Sequence, residues 1–131
     1  MSMDPPKVLL EQSFLHALTE PDHPQHGEAV EHYHRLVDLY QRQEVLLVAV
    51  AKHLDPLGHH HRDGIRRHGV LAPVDGLHVA FQHRRTARRA ARNIDHDLDL
   101  ALTLVMCERH KIRRVASFDE RFAQFHLDLA E

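Results

Sequence analysis

Glu11 follows the apolar run "VLL" at residues 8–10, and Asp119 follows "RRVASF" at residues 113–118. Each acid stands where a buried strand is expected to end. Ligand and metal sites of open α/β sheets gather beyond the carboxyl ends of their strands. Two strands that end on acids therefore point to one shared acidic site. Clustered carboxylates are costly unless a cation neutralises them. Hard oxygen donors select Mg²⁺ or Mn²⁺, and such an ion polarises a phosphodiester and lowers the pKa of an attacking water. Taken alone, an acid at a strand end reads equally well as part of an exposed loop.

The elements that would position these acids are legible from periodicity. "VLL" reads as a short buried strand, and "SFLHAL" after it as the first turns of a helix with Ser13 as cap. "EPDHPQHGE" (residues 20–28) is a loop broken by Pro21 and Pro24. In residues 29–43, Val30, Tyr33, Leu36, Val37 and Tyr40 form one apolar helical face. "VLLVAVA" (residues 45–51) is a continuous apolar run, as in a strand covered on both sides. A short helix, then another strand in "GVLAPV" (residues 69–74), are expected next. Residues 77–93 and 98–110 read as helices and residues 113–119 as a strand ending on its carboxylate. Alternating strands and helices predict a single α/β domain over residues 1–131, a three-layer α/β/α sandwich around a parallel sheet of four to five strands.

Three stretches resemble the PIN-domain family, especially the VapC-type toxins of bacterial toxin–antitoxin pairs. "VLLEQSFLHAL" resembles the family's opening strand, acidic motif and apolar helix. "LALTLVMCERHKIRRVASFDERF" (residues 100–122) resembles its closing helix–strand–loop, and "DHPQHGEAV" its intervening loop and helix start. The resemblance spans nearly the whole chain. It implies a metal-dependent endoribonuclease whose acids surround Mg²⁺ or Mn²⁺. It also implies RNA as substrate, an antitoxin protein as partner, and a homodimer.

Carried over residue by residue, the first acid falls on Glu11, where the family has Asp. The extra methylene displaces the carboxylate by about one bond length, and geometry at Mg²⁺ is strict. Ser13 matches a hydroxyl residue that supports the ion's ligand by hydrogen bonding. The second acid falls on Asp55, where Pro56 must end or kink a helix. The third falls on Leu100, which is no acid. Asp97, three residues earlier, is its substitute, and is also placed to interact with the helix dipole. Asp99 is expected to point about 100° away. The fourth acid matches at Asp119. The expected catalytic and metal-binding set is thus Glu11, Asp55, Asp97 and Asp119. The alternative is a PIN-like binding or partner module with impaired catalysis, which the Leu100 replacement favours.

"HRRTARRAAR" places Arg84, Arg88 and Arg92 in one helical stripe with Arg85 and Arg89 beside it. Such a stripe contacts RNA phosphates or serves as a solvated face that balances the acids. "GHHHRDGIRRHG" (residues 58–69) reads as a positively charged loop. Adjacent imidazoles there bind transition metals weakly and without defined geometry.

Composition narrows the class further. The chain has 131 residues and is 43% hydrophobic, enough for one core. The single cysteine, Cys107, excludes an internal disulfide and reads as a small buried hydrophobe on an apolar helix. No stretch approaches the roughly 18 to 20 apolar residues that span a bilayer, and the first residues carry no apolar leader core. A cytoplasmic protein without a membrane partner is expected. Formal net charge is −2 with the 15 histidines counted neutral, so mild acid makes the surface much more positive.

Overall fold

A computed structural model describes residues 5–50, 74–125 and 128–129. Strand β1 (Lys7–Leu10) leads into helix α1 (Gln12–Thr19), followed by α2 (His26–Gln41) and β2 (Leu46–Val50). Next come β3 (Val74–Leu77), α3 (Phe81–Ala91), α4 (Leu98–Arg109) and β4 (Arg114–Ala116). A 3₁₀ turn (Glu120–Phe125) and β5 (Asp128–Leu129) close the described chain. The strands form one five-stranded sheet in the order β3-β2-β1-β4-β5. Every pairing is parallel, with Leu9 opposite Val48 on one side and Val115 on the other.

The apolar runs are continuous because both faces of the sheet are covered. Val8, Leu10, Leu47 and Ala49 pack with Phe14, Leu15, Tyr33 and Leu36 on the α1–α2 side. Leu9, Val48 and Val50 pack with Met106, Cys107 and Phe122 on the α3–α4 side. The period-2 alternation of a strand thus feeds two separate cores. This is the three-layer α/β/α arrangement expected.

Several boundaries differ from the sequence reading. The third strand is Val74–Leu77, so only Val74 of the anticipated stretch 69–74 belongs to it; the rest of that stretch lies outside the described residues. Helix α3 starts at Phe81 rather than at residue 77, because Leu77 pairs with Val50 in the sheet. Strand β4 ends at Ala116, freeing Ser117, Phe118 and Asp119 to turn over the sheet edge. Helix α2 begins at His26, inside the stretch expected as loop. Among the described residues no helix is long and apolar enough to cross a membrane.

Candidate active site

The register of β1 against β4 sets the site. Leu10 pairs with Ala116, and the Glu11 N–H donates to the Ala116 carbonyl at 3.0 Å. Glu11 and Ser117 therefore leave the sheet side by side. Glu11 then caps α1, with the Ser13 N–H 3.0 Å from each carboxylate oxygen. The cap is Glu11 and not Ser13, as residue preference alone suggested. The chain leaves β1 at residue 11, so the cap position falls there, and the longer side chain folds back onto the helix end, where negative charge is favoured.

Glu11 is only 7% exposed. Two serine hydroxyls complete its solvation. Ser13 Oγ donates to Glu11 Oε1, and Ser117 Oγ donates to the same oxygen at 2.5 Å. Each hydroxyl in turn accepts a backbone N–H: Phe118 to Ser13 Oγ at 3.0 Å, and Asp119 to Ser117 Oγ at 2.9 Å. A buried carboxylate is tolerable when its oxygens are bonded in this way. The Phe118 ring stacks on Phe14 at 6.0 Å between centroids, which fixes the loop that carries Asp119.

Asp97 arrives from the opposite side. The turn between α3 and α4 runs through Asp95 and His96, both at positive φ, and the His96 N–H returns to the Ala91 carbonyl at 2.8 Å. Asp97 then caps α4, its Oδ1 accepting the Leu100 N–H at 3.0 Å.

Arg121 joins Asp97 to Asp119. Its Nε lies 3.0 and 3.1 Å from Asp119 Oδ1 and Oδ2, and its Nη2 lies 2.7 Å from Oδ2. The same Nη2 donates to Asp97 Oδ2 at 2.8 Å. The Arg121 backbone N–H donates to Asp119 Oδ1 at 3.0 Å. This is the paired-fork geometry of a strong charge-assisted contact. Hydrogen bonding to the Arg121 side chain holds the Asp119 carboxyl below its ordinary range, against the opposing effect of burial. Its bonds to Asp119 and then Asp97 push the Arg121 guanidinium further up.

Glu11, Ser13, Asp97 and Asp119 line one open cleft of about 410 Å³, together with Gln12, His16, Asp99, Leu100 and Arg121. The structure thus brings together three of the four carboxylates singled out by sequence; Asp55 lies outside the described residues, as does the His-rich stretch 58–69. Leu100 also faces this cleft, where the resemblance implies an acid. Asp99 borders it too, contrary to the expectation that it points away, because the cleft extends across the start of α4. Arg121 and Ser117 are the residues that sequence reasoning missed. The available signal was local: a serine at the strand exit, and an arginine two residues beyond Asp119.

The arginine stripe lies on α3 and its C-cap, Arg92, with Arg84, Arg85, Arg88, Arg89 and Arg92 all exposed. Arg84 and Arg88 line a second cavity, of about 270 Å³, with Ala87, Leu98 and Leu102. Leu98 sits between Asp97 and Asp99, so the acidic and basic cavities flank the same end of α4.

The described carboxylates do not fit a divalent ion as they stand. Both oxygens of Asp119 and Oδ2 of Asp97 are engaged by Arg121, and Oδ1 of Asp97 caps a helix. Among the described residues no group of three metal-ligating side chains is placed to share an ion.

The fold and its acidic cleft define the class as a three-layer α/β domain with carboxylates gathered beyond the ends of parallel strands. Among solved structures, the chain is similar to the crystal structure of Mycobacterium tuberculosis VapC20, a sarcin-ricin loop cleaving toxin. The TM-score is 0.63 at 16% identity, over 92% of this chain and 95% of that one. The likeness is one of fold. No protein-family model matches the chain, and no curated protein does either.

Proposed function

We propose that this chain is a PIN-type endoribonuclease that hydrolyses an RNA phosphodiester at the cleft between β1, β4 and the start of α4. The observation that carries the reading is the meeting of Glu11, Asp97 and Asp119, from three distant segments, in one open cleft. Its support from outside the chain is the shared fold with a toxin that cleaves the sarcin-ricin loop.

In this reading a water oxygen attacks phosphorus, its proton passes to a cleft carboxylate, and the bond from phosphorus to one ribose oxygen breaks, the departing oxygen taking a proton from solvent. Asp119, held ionised by Arg121, is a poor proton acceptor. At Glu11 the two serine hydroxyls fall on Oε1, and Oε2 meets a single donor, the Ser13 N–H. Arg84, Arg85, Arg88, Arg89 and Arg92 hold flanking phosphates, across the α4 end from the cleft. Glu11, Asp97 and Asp119, with Asp55, are the candidate ligands of Mg²⁺ or Mn²⁺, and no step is assigned to the ion while Arg121 occupies two of them. An antitoxin partner, a homodimer and a cytoplasmic setting belong to the same reading.

The test is incubation of the purified chain with structured RNA and millimolar Mn²⁺ or Mg²⁺, with and without chelator. Discrete fragments that disappear with chelator are expected. RNA that stays intact under every metal would overturn it in favour of the second reading, a PIN-like partner module without catalysis. The specific observation favouring that module is the apolar Leu100 in the cleft, beside two acids already paired to Arg121.

A further inference from the structure

The cavity beside the acidic cleft has a chemistry of its own. It holds about 270 Å³ and is lined by Arg84, Ala87 and Arg88 of α3 and by Leu98 and Leu102 of α4. Ala87 is small and fully buried, so a depression remains between its longer neighbours. Leu102 is buried, whereas Leu98 is 41% exposed. The two leucines stand at i and i+4 on α4 and make one apolar floor. Arg84 and Arg88 stand at i and i+4 on α3 and make a cationic rim. Asp97, Asp99 and Leu100 line the acidic cleft and Leu98 lines this cavity, so the first turn of α4 divides the two. A rim of charge would hold a phosphate, but a phosphate has no use for an apolar floor. A solvated helix face accounts for the arginines, but not for a pocket around an exposed leucine. A nucleotide uses both parts: its base is flat and apolar, and its phosphate is anionic. Guanidinium planes also stack on bases. Drug-sized ligands take pockets of about 300–1,000 Å³, so this smaller one suits a single base.

We propose that this cavity is a subsite for one unpaired nucleotide next to the scissile phosphate, its base laid on Ala87, Leu98 and Leu102 and its phosphate held by Arg84 and Arg88. The inference rests on the reading that the chain binds RNA at the neighbouring cleft. It adds that a base is recognised as well as the backbone. A base inside a duplex is stacked on its neighbours and cannot enter, so the subsite selects single-stranded or flipped-out nucleotides. The side chains of the floor carry no hydrogen-bonding group, so any base can lie on it, with a preference set by stacking strength.

The test is binding of end-labelled octa-adenylate, and of a ribose–phosphate chain of the same length without bases, to the full chain. Fluorescence anisotropy reads both affinities at constant salt, with chelator present so that the RNA stays intact. The wild type is expected to prefer the base-bearing chain by at least about fivefold, the low end for stacking platforms. Leu98→Ser should bring that preference close to parity and leave the affinity for the baseless chain unchanged. Leu98→Phe, which keeps the floor apolar, should retain the preference. Arg84→Ala with Arg88→Ala should weaken binding of both chains. Leu98 is the exposed first residue of α4, so these two substitutions leave the core untouched. A preference that survives Leu98→Ser overturns the proposal and leaves the cavity to another occupant, such as an acidic peptide of a partner. Equal affinity of the wild type for the two chains overturns it too, as does failure to bind either. The readout is independent of cleavage. A base preference that Leu98→Ser abolishes, without RNA cleavage, leaves the subsite standing and removes the nuclease; cleavage without base preference does the reverse.

Discussion

Ser117 Oγ donates to Glu11 Oε1 at 2.5 Å across 106 positions of sequence. That bond joins the ends of two neighbouring parallel strands and holds a nearly buried carboxylate at the head of the cleft. Hydrogen bonds to charged groups contribute about 1.5–3 kcal/mol each. Ser117→Ala is therefore expected to destabilise the fold by that amount, read as a lower urea midpoint at unchanged slope. Ser13→Ala should cost a similar amount, because each hydroxyl donates to Glu11 and accepts one backbone N–H.

The Asp119–Arg121 pair gives stability a definite dependence on acid. The folded carboxyl lies below its ordinary value of 3.8, chiefly through the Arg121 side chain. As pH falls, the unfolded chain takes up this proton first. The contribution is present above about pH 4 and is lost as pH falls toward the depressed folded value. Unfolding free energy measured between pH 3 and pH 6 should show this decline, and Arg121→Gln should flatten it.

If the α3 stripe holds RNA, its removal has a signature in salt. Single-stranded nucleic acid binding loses about 0.7 of slope, in log affinity against log salt, for each phosphate contact removed. Arg84→Ala with Arg88→Ala should weaken RNA binding and shallow the slope by about 1.4, twice the single-contact value. An unchanged slope would make the stripe a solvated face.

Lys111 follows the last turn of α4 at φ 56° and is exposed. The Ile112 N–H returns to the Cys107 carbonyl at 2.8 Å, closing the helix with a left-handed residue. A side chain there costs about 1 kcal/mol relative to glycine. Lys111→Gly is expected to raise the melting temperature by several degrees.

The layers of this fold were legible because β1 and β2 are apolar on both faces, which only a doubly covered parallel strand requires. Glu11 and Asp119 were legible because each interrupts such a run at its carboxyl end. Asp97 was legible only as a substitute three residues before Leu100, and its place depended on where α4 begins. The cap of α1 was misread because Ser13 outranks Glu11 in intrinsic preference, whereas the strand's end decides which residue reaches the cap position. Arg121 was the hardest to foresee. Its proximity to Asp119 is local, but its bond to Asp97 exists only once the α3–α4 turn has folded Asp97 over the sheet edge.

The central claim, that the meeting of Glu11 and Asp119 makes an RNA-cleaving site, is tested most directly by single-turnover cleavage of a structured RNA in Mn²⁺. Wild type, Glu11→Gln and Asp119→Asn would be compared at matched folding. Loss of a catalytic carboxylate typically lowers rate by about 10²–10⁴-fold, and both variants should fall by at least the lower figure. Cleavage that persists at the wild-type rate in both variants would contradict the assignment and point to a contaminating nuclease.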